Sequence, residues 1–429
     1  MKIAIIGSGY VGLVTGVCFA HIGNEVICVD NDAKKIANLK KGIIPIYEPG
    51  LDEMIKANKK EGRLAFTTSI PEAVKRSDCI FIAVSTPPKD NGEADLTAIE
   101  NVAIQIAKSM HSYKLIVEKS TVPVKTGIWV EHTIKINHFK NVKFDVASNP
   151  EFLREGQAIS DFLHPDRVVI GVESKRALNI LKELYAPLNA PIVVTDIKSA
   201  ELIKHASNSF LAAKISFINA ISRICELTGA DVEKVASGMG LDKRIGKGFL
   251  NAGVGYGGFC FPKDLDAFIS IAGQCGYDFS LLKEVRKINE QQKEFFLKKI
   301  ESALWNIKSK SIGILGLSFK PETDDIRFTP AQYIVEKLKS EGAKVRAFDP
   351  KAMPKFKQLV KGITFCRDAY DAAKGVDCLV IITDWPEFKN LDFARLKKIM
   401  KQPLIVDGRN IYNKETLEKL GYRYFSIGR

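Results

Sequence analysis

Residues 3–30 hold the pattern that most limits what this chain can fold into. Ile3–Ile6 is a short apolar run. The segment Gly7-Ser8-Gly9-Tyr10-Val11-Gly12 interrupts it, an apolar helical stretch continues through Phe19 and Ala20, and a second apolar run, Glu25–Val29, stops at Asp30. Short apolar runs bounded by turns suit strands buried on both faces of a parallel sheet. Glycines at the first, third and sixth positions of the turn let the chain reverse tightly and open a helix. Strand, glycine turn, helix and strand make one βαβ unit, and repeated units build an open parallel sheet with helices on both faces.

The alternation continues. Cys79–Val84, Leu115–Glu118, Phe144–Ser148 and Val168–Val172 read as further strands, with helical patterns between several of them. From Ser199 to about Leu304 long helical patterns take over, chiefly Ala200–Thr228 and Phe279–Ile307, broken by a glycine-rich loop. Helices of this length span between domains or pack against a partner subunit. After Ser309 the α/β pattern returns, with strands at Ile312–Leu315, Lys344–Phe348, Cys378–Thr383 and Leu404–Val406, the second again ending in an aspartate, Asp349. The expected fold is α/β: two doubly wound, Rossmann-like parallel-sheet domains joined by a central helical region with a long helix. The expected boundaries are 1–196, 197–308 and 309–429.

A chain of 429 residues exceeds one ordinary core and suits this multi-domain reading. The formal charge of +13 leaves nucleic acid, acidic membrane surfaces and small anions open as partners. The lysines are spread along the chain with no run of interleaved arginines and aromatics, which argues against nucleic acid and leaves phosphate-bearing small molecules. None of the eight cysteines forms a Cys-x-x-Cys pair, so neither a zinc site nor a redox dithiol is expected. Cys28, Cys79 and Cys378 lie in apolar strand-like runs, as reduced core thiols of a cytoplasmic protein do. The N-terminal apolar run is broken by glycines and lacks a small-residue cleavage site, so it reads as a strand rather than a signal peptide. No window is long and apolar enough for a membrane span, and no membrane association is expected.

Four local patterns carry chemistry. In the first turn, Gly7, Gly9 and Gly12 let the backbone approach a pyrophosphate at a helix N-terminus, and Asp30 at the next strand end can hydrogen-bond a ribose diol. An acid there favours NAD over NADP. In the second, Asn149-Pro150-Glu151-Phe152-Leu153-Arg154-Glu155-Gly156, the residues suit one helical turn with Asn149 as N-cap and Pro150 first inside. In such a turn Glu151 and Glu155, four apart, share a face and can position and deprotonate water. In the third, Lys204 and Asn208 are four apart on a helix. A helical lysine is ordinarily solvated, but the face shared with Leu211 and Ile215 turns this pair inward, where a charge and an amide donor form an oxyanion site.

The fourth is Gly253-Val254-Gly255-Tyr256-Gly257-Gly258-Phe259-Cys260-Phe261-Pro262-Lys263-Asp264. Pro262 suits the first turn of a helix through Leu265, Phe268, Ile269 and Ile271. Cys260 then lies at the helix start near Lys263, and both features favour thiolate. Asp264 can accept the thiol proton or orient water. The glycines leave the backbone able to approach a ligand. A hydride acceptor beside a sulfur nucleophile suits oxidation of an alcohol past the aldehyde to an acid.

In their order these motifs make the chain resemble the nucleotide-sugar dehydrogenases of the UDP-glucose/GDP-mannose dehydrogenase family, along essentially its whole length. The resemblance rests on GSGYVG, the strand ending at Asp30, PIYEPGL at Pro45–Leu51, STPP at Ser85–Pro88 and EKSTVPV at Glu118–Val124. It continues through NPEFLREG, HPDRVVIG at His164–Gly171, AELIKHASN, FLNAGVGYGGFCFPKD, GLSFKPETDDIR at Gly316–Arg327 and VDGRN at Val406–Asn410. It implies a two-fold oxidation of UDP-glucose at its 6-hydroxyl with two NAD reduced, through a thiohemiacetal and a thioester on Cys260. By position, Lys204 and Asn208 would stabilise the oxyanion, Asp264 would assist proton transfer with Lys204 through an ordered water, and Glu151 and Thr121 would place the hydrolytic water.

NAD would meet Val11, Asp30, Lys35, Thr86, Thr121, Glu155, Lys263 and Arg327 beside the glycine turn. The sugar nucleotide would meet Glu151, Phe152, Leu153, Arg154 and Glu155, then Phe249, Leu250, Asn251, Ala252, Gly253 and Gly257, and Lys320. Arg244 would reach it in the neighbouring subunit of a homodimer built on the central helix. Arg409 matches a family arginine near the sugar, with a solvated or ion-paired surface role as the alternative. The first domain would then bind NAD and the last the UDP-sugar. Two residues depart from the family pattern: Val254 stands where Pro is common and Phe259 where Ser is common, and the latter bears on the sugar pocket. A dehydrogenase of UDP-N-acetylhexosamine or GDP-mannose, and a non-catalytic NAD-binding scaffold, are the alternatives.

Overall fold

A computed structural model describes residues 1–89, 92–138 and 142–429. The described chain forms two compact units. One comprises Met1–Ser207 with Asp266–Tyr277, the other Asn208–Leu265 with Asp278–Arg429.

The first unit holds an eight-stranded sheet. Its strands are β1 (Lys2–Ile6), β2 (Glu25–Val29), β3 (Leu64–Thr67), β4 (Cys79–Ile82), β5 (Lys114–Glu118), β6 (Phe144–Ser148), β7 (Val168–Val172) and β8 (Ile192–Thr195). They lie in the order β3-β2-β1-β4-β5-β6-β7-β8. Every pair is parallel except β6 with β7. The order reverses between β1 and β4, which opens a crevice at the carboxyl ends of those strands, where open α/β sheets bind ligands. Separate apolar clusters cover the two faces, one around Ile3, Ile5 and Phe19, the other around Ala4, Ile6 and Ile80. Alternate residues of β1 serve opposite cores, which is why the strand carries no polar face.

The second unit holds a six-stranded, all-parallel sheet of β9 (Ser311–Leu315), β10 (Lys344–Phe348), β11 (Thr364–Phe365), β12 (Cys378–Ile381), β13 (Leu404–Asp407) and β14 (Arg423–Ser426). Its order is β11-β10-β9-β12-β13-β14. Both sheets are thus Rossmann-like, as the alternation predicts. The strands absent from the sequence reading, β3, β8, β11 and β14, are the four sheet edges. Edge strands are short and half solvated, so they lack the continuous apolar run that marks a central strand.

A 32-residue helix, Ile197–Thr228, runs from one unit into the other. One stripe of it is buried and polar: Glu201, Lys204, His205, Asn208, Ser209, Ser216, Asn219 and Ser222. A second long helix spans Ser280–Leu304. No helix among the described residues is long and apolar enough to cross a membrane.

The two strand-ending aspartates have diverged. Asp30 accepts from the backbone N–H groups of Ser8 and Asp32, each at 3.0 Å, and pairs with Lys35 at 2.8 Å. Asp349 is fully buried and accepts from the N–H groups of Leu317, Ser318, Lys351 and Ala352, from the Ser318 hydroxyl and from Trp385 Nε1, all within 2.7–3.1 Å. Six donors saturate that carboxylate, so it clasps the second sheet and has no capacity left for a ribose. Removing it strands several buried donors, each at about 1–3 kcal/mol. Asp349→Ala is expected to destabilise the second unit by about 3 kcal/mol, read as an earlier urea transition; an unmoved midpoint would refute the clasp.

Candidate active site

The glycine turn follows β1 as expected. Gly7 sits at φ +104°, and a Cβ on Gly12 would lie 1.8 Å from the Gly7 carbonyl oxygen, so neither position admits a side chain. A Cβ on Gly9 would meet nothing within 4 Å, which leaves its backbone open to an approaching group. The turn opens the helix Tyr10–His21, whose first N–H groups face any anion lying there. With Asp30 at the neighbouring strand end, these residues fit a dinucleotide's pyrophosphate and ribose. Val11 is half-buried on the same helix. Thr86 is buried and donates to the Thr121 carbonyl at 3.0 Å, so the segments after β4 and β5 are tied together beside the crevice.

The acidic segment after β6 forms no helix. Residues 149–157 are irregular, and the next helix begins at Ala158. Asn149 is therefore not an N-cap. Its side chain lies in the core, where it accepts from Lys119 at 3.0 Å and from the Tyr185 hydroxyl and donates to the Val169 carbonyl at 2.8 Å. The shared helical face expected for Glu151 and Glu155 is absent. Pro150 disfavours the helical conformation at the residue before it, and Gly156 bends the chain at φ +78°.

Glu151 and Lys204 meet in a buried ion pair at 2.9 Å, with side-chain exposures of 5% and 4%. The second Glu151 oxygen accepts from the Leu153 N–H at 2.6 Å. The Phe152 ring packs against the Arg167 guanidinium at 3.7 Å, with the Lys204 ammonium 5.3 Å from its centroid. A pair this dry holds its geometry, because losing either partner leaves a buried charge uncompensated. Arg154 is exposed and engaged with Asp161, and Glu155 is half-buried.

In the second unit, Cys260 is the first residue of the helix Cys260–Gln274 and is half-buried. Asp264 lies one turn on and is 1% exposed. Its carboxylate accepts from Asn208 Nδ2 at 2.6 Å and pairs with Lys263 at 2.7 Å. Asn208 and Lys263 thus meet on one carboxylate within a turn of the thiol. The Phe259 ring is flanked by the Arg327 guanidinium at 4.4 Å and the Lys263 ammonium at 5.6 Å. The aromatic departure at 259 is therefore occupied with the two cations expected for NAD. The loop's glycines have a reason beyond ligand approach. A Cβ on Gly257 would lie 2.4 Å from the Phe328 carbonyl oxygen, and one on Gly258 2.7 Å from the Phe319 ring. Val254 donates its N–H to the Gly408 carbonyl at 3.0 Å, a bond that proline could not make.

Leu250 and Ala252 are buried, Asn251 is exposed, and Phe249 takes φ +65°. Gly253 donates to Asn219 Oδ1 at 2.9 Å and accepts from Gln292 Nε2 at 2.9 Å. Arg409 is not a solvated surface arginine. It is half-buried, donates Nε to the Ile382 carbonyl at 2.7 Å, and reaches the Gly255 and Phe319 carbonyls. Lys320 lies 5.8 Å from the Phe319 centroid. Arg244 pairs with Asp242 in an exposed loop.

Several buried ionisable groups escaped the sequence reading, although they sit inside the quoted motifs. Glu201 accepts from the N–H groups of Lys125 and Gly127, both at 2.7 Å, and His205 Nε2 lies 2.8 Å from the Val122 carbonyl. The long helix thereby grips the segment that carries Thr121. Burial pushes Glu201 up to about 7 and Glu118 up to about 8, and pulls Lys119 down to about 7. For Glu201 and His205 the signal available was the polar stripe along the long helix.

Residues 1–189 match the NAD binding domain of the UDP-glucose/GDP-mannose dehydrogenase family, residues 198–291 its central domain and residues 313–414 its UDP binding domain. The chain belongs to that family. It is 49% identical to the UDP-glucose 6-dehydrogenase TuaD of Bacillus subtilis, over all of this chain and 93% of that protein. It is also 49% identical to the UDP-glucose 6-dehydrogenase of Rhizobium meliloti, over the whole of both chains. Its fold matches the UDP-glucose dehydrogenase of the archaeon Pyrobaculum islandicum with a TM-score of 0.92 at 38% identity, covering 99% of this chain and 97% of that one.

The raised Glu118 carboxyl has a measurable consequence. Its folded pKa, about 8, exceeds its ordinary value of 4.5, so its contribution to stability is fully present below about 4.5 and is lost as pH rises through about 8. Glu118→Gln is expected to gain stability relative to the parent between pH 5 and pH 8. Urea midpoints at the two ends give the comparison, and a difference independent of pH would exclude an ionising buried Glu118.

Proposed function

We propose that the chain is an NAD-dependent UDP-glucose 6-dehydrogenase that oxidises the 6-hydroxyl of the sugar to the carboxylate. The net reaction consumes UDP-glucose, two NAD and one water and yields UDP-glucuronate, two NADH and protons. The observation that carries this reading is the grouping of Cys260 at a helix start with Asp264 one turn on, held to Asn208 at 2.6 Å. Full-length likeness to UDP-glucose 6-dehydrogenases supports the choice of sugar.

NAD, when bound at the first glycine turn, would supply the hydride acceptor for each of the two oxidations of the sugar carbon. Gly7, Gly9 and Gly12 would admit its pyrophosphate, Asp30 with Lys35 would take the ribose, and Val11, Thr86, Thr121, Glu155, Lys263 and Arg327 would complete its contacts. The first oxidation gives an aldehyde. The Cys260 sulfur adds to that carbon, and the oxyanion so formed is held by the Lys204 ammonium and the Asn208 amide. Loss of hydride from this thiohemiacetal gives a thioester. Water then adds to the thioester carbon, its proton passes to an acceptor, and the carbon–sulfur bond breaks to release the acid and Cys260. Glu151 and Thr121 position that water, and Asp264 with Lys204 moves the protons. The buried Lys204–Glu151 pair supports this role, since it presents an ammonium and a carboxylate at fixed separation away from bulk solvent. Phe152, Leu153, Arg154, the segment Phe249–Gly253, Gly257, Lys320 and Arg409 bind the sugar nucleotide.

The long helix is the core of a homodimer in this reading. Phe210, Phe217 and Ile224 recur every seven residues and are 67%, 49% and 54% exposed, with Leu227 beyond them at 88%. An apolar stripe at that spacing suits a second helix of the same kind. Arg244, in its exposed loop, is placed by the same reading against the sugar nucleotide of the neighbouring subunit. All eight cysteines are unpaired, which suits the reducing cytoplasm.

Two NADH per UDP-glucose consumed is the expected stoichiometry, measured by absorbance with limiting sugar. A ratio of one would mean that the aldehyde escapes, and NADH formed only with GDP-mannose or a UDP-N-acetylhexosamine would assign a different sugar. Cys260→Ala is expected to abolish sustained NADH production, and no turnover with any nucleotide sugar in the parent would leave a binding scaffold. For the dimer, Phe210→Glu with Phe217→Glu is expected to give monomers by light scattering, and an unchanged mass would place the interface elsewhere.

A further inference from the structure

The segment Pro45–Leu51 (PIYEPGL) has no role in the chemistry above, yet it holds a buried carboxylate in contact with both ligand-binding segments of the first unit. Glu48 is 6% exposed. Its Oε2 accepts from the Gly156 N–H at 2.6 Å and its Oε1 from the Ala158 N–H at 2.7 Å. The Tyr10 hydroxyl also donates to Oε2, and the Gly156 N–H is shared with the Tyr10 oxygen at 3.0 Å. Tyr10 lies inside the glycine turn, between Gly9 and Gly12. Gly156 closes the irregular segment that carries Glu151 and Glu155. Glu48 itself is held from behind, because its carbonyl accepts from the Leu51 N–H at 3.2 Å, at the start of the helix Leu51–Lys60.

The chemistry of the knot requires an acid. Three donors converge on two oxygens, and only a side chain that accepts without donating satisfies all three. A glutamine would turn an NH2 group toward an N–H or hydroxyl. Water could satisfy the same backbone groups without burying a charge, so burial of Glu48 marks a requirement for position. The segment needs such a tether. Its first half is anchored by Asn149 in the core and by Glu151 on Lys204. Beyond Leu153, Arg154 is tied to Asp161, and Gly156 and Ala158 are tied to Glu48 and Tyr10.

We propose that Glu48 and Tyr10 are positioning residues that lock the segment carrying Glu151 and Glu155 to the dinucleotide turn, so that the cofactor and sugar-nucleotide sites are set by one shared clasp. Loosening the clasp moves both sites together, which a defect confined to one binding site does not. The inference rests on the dehydrogenase reading above.

The test is steady-state kinetics in both substrates on the full chain, beside direct NADH binding followed by fluorescence. Glu48→Gln is expected to raise the KM for NAD and for UDP-glucose together, each by roughly tenfold, with a much smaller change in kcat. It should also weaken NADH binding in the absence of turnover. Tyr10→Phe removes a single hydroxyl and is expected to move the same parameters in the same direction by about threefold. The double variant should be no worse than Glu48→Gln alone, since both act on one knot. Thermal unfolding of each variant reports folding, and if Glu48→Gln fails to fold, Tyr10→Phe decides alone. KM values within twofold of the parent for both substrates in a folded variant overturn the proposal, as does additivity of the two substitutions. Failure of the parent to bind NADH would instead overturn the dehydrogenase reading.

Discussion

Parallel strands bring their carboxyl ends to one edge of a sheet, and many of the candidate site residues follow those ends directly. In the first unit the residues after β1, β2, β4, β5 and β6 are the glycine turn, Asp30, Ser85–Thr86, Lys119–Thr121 and Asn149–Glu151. In the second, the residues after β9, β10, β12 and β13 are Gly316–Ser318, Asp349, Thr383 and Gly408–Arg409. The strands themselves are almost wholly apolar and buried on both faces, so the first polar residues the chain can use are those immediately past each strand. Within each sheet, the crevice where strand order reverses opens at that edge. Fold and candidate site are therefore one constraint seen twice.

Burying charge near that edge carries a cost that the fold offsets locally. Lys204 and Glu151 offset each other at 2.9 Å. Glu201 is matched by two backbone donors and Asp264 by Asn208 and Lys263. Burial still shifts Glu118, Lys119 and Glu201 toward neutrality, because desolvation outweighs their partners. These groups lie on β5, in the segment just after it, and on the long helix. They surround the segment that carries Thr121 with groups that titrate within reach of neutral pH. The helix Ile197–Thr228 can hold so many polar residues inward only because nearly every one of them finds a partner there.

How much was legible follows from what each element owes to its own sequence. Both central sheets, the glycine turn, the long helices and the Cys260 helix were readable, because apolar runs, helical periodicity and glycine spacing are local. The four edge strands were not, since their burial depends on neighbours rather than on their own pattern. The irregular Asn149–Gly156 segment carries every local signal of a short helix, and Asn149 is drawn instead into the core by Lys119, Tyr185 and Val169. The Asp349 motif repeats Asp30 in sequence, but Trp385 and Ser318 close over it and use up its oxygens.

The sequence by itself determined the family and the α/β architecture and singled out the candidate site residues, because each is written in short motifs whose spacing survives any packing. Tertiary structure alone decided which ionisable side chains are paired, and with what. Lys204 meets Glu151 across fifty-odd residues, Phe259 takes up Arg327, and Glu48 joins Tyr10 to Gly156. A carboxylate's role is set by the donors that converge on it, and those arrive from segments far apart in the chain. No local pattern encodes that convergence; only the packed sheet and its helices bring the donors to one point.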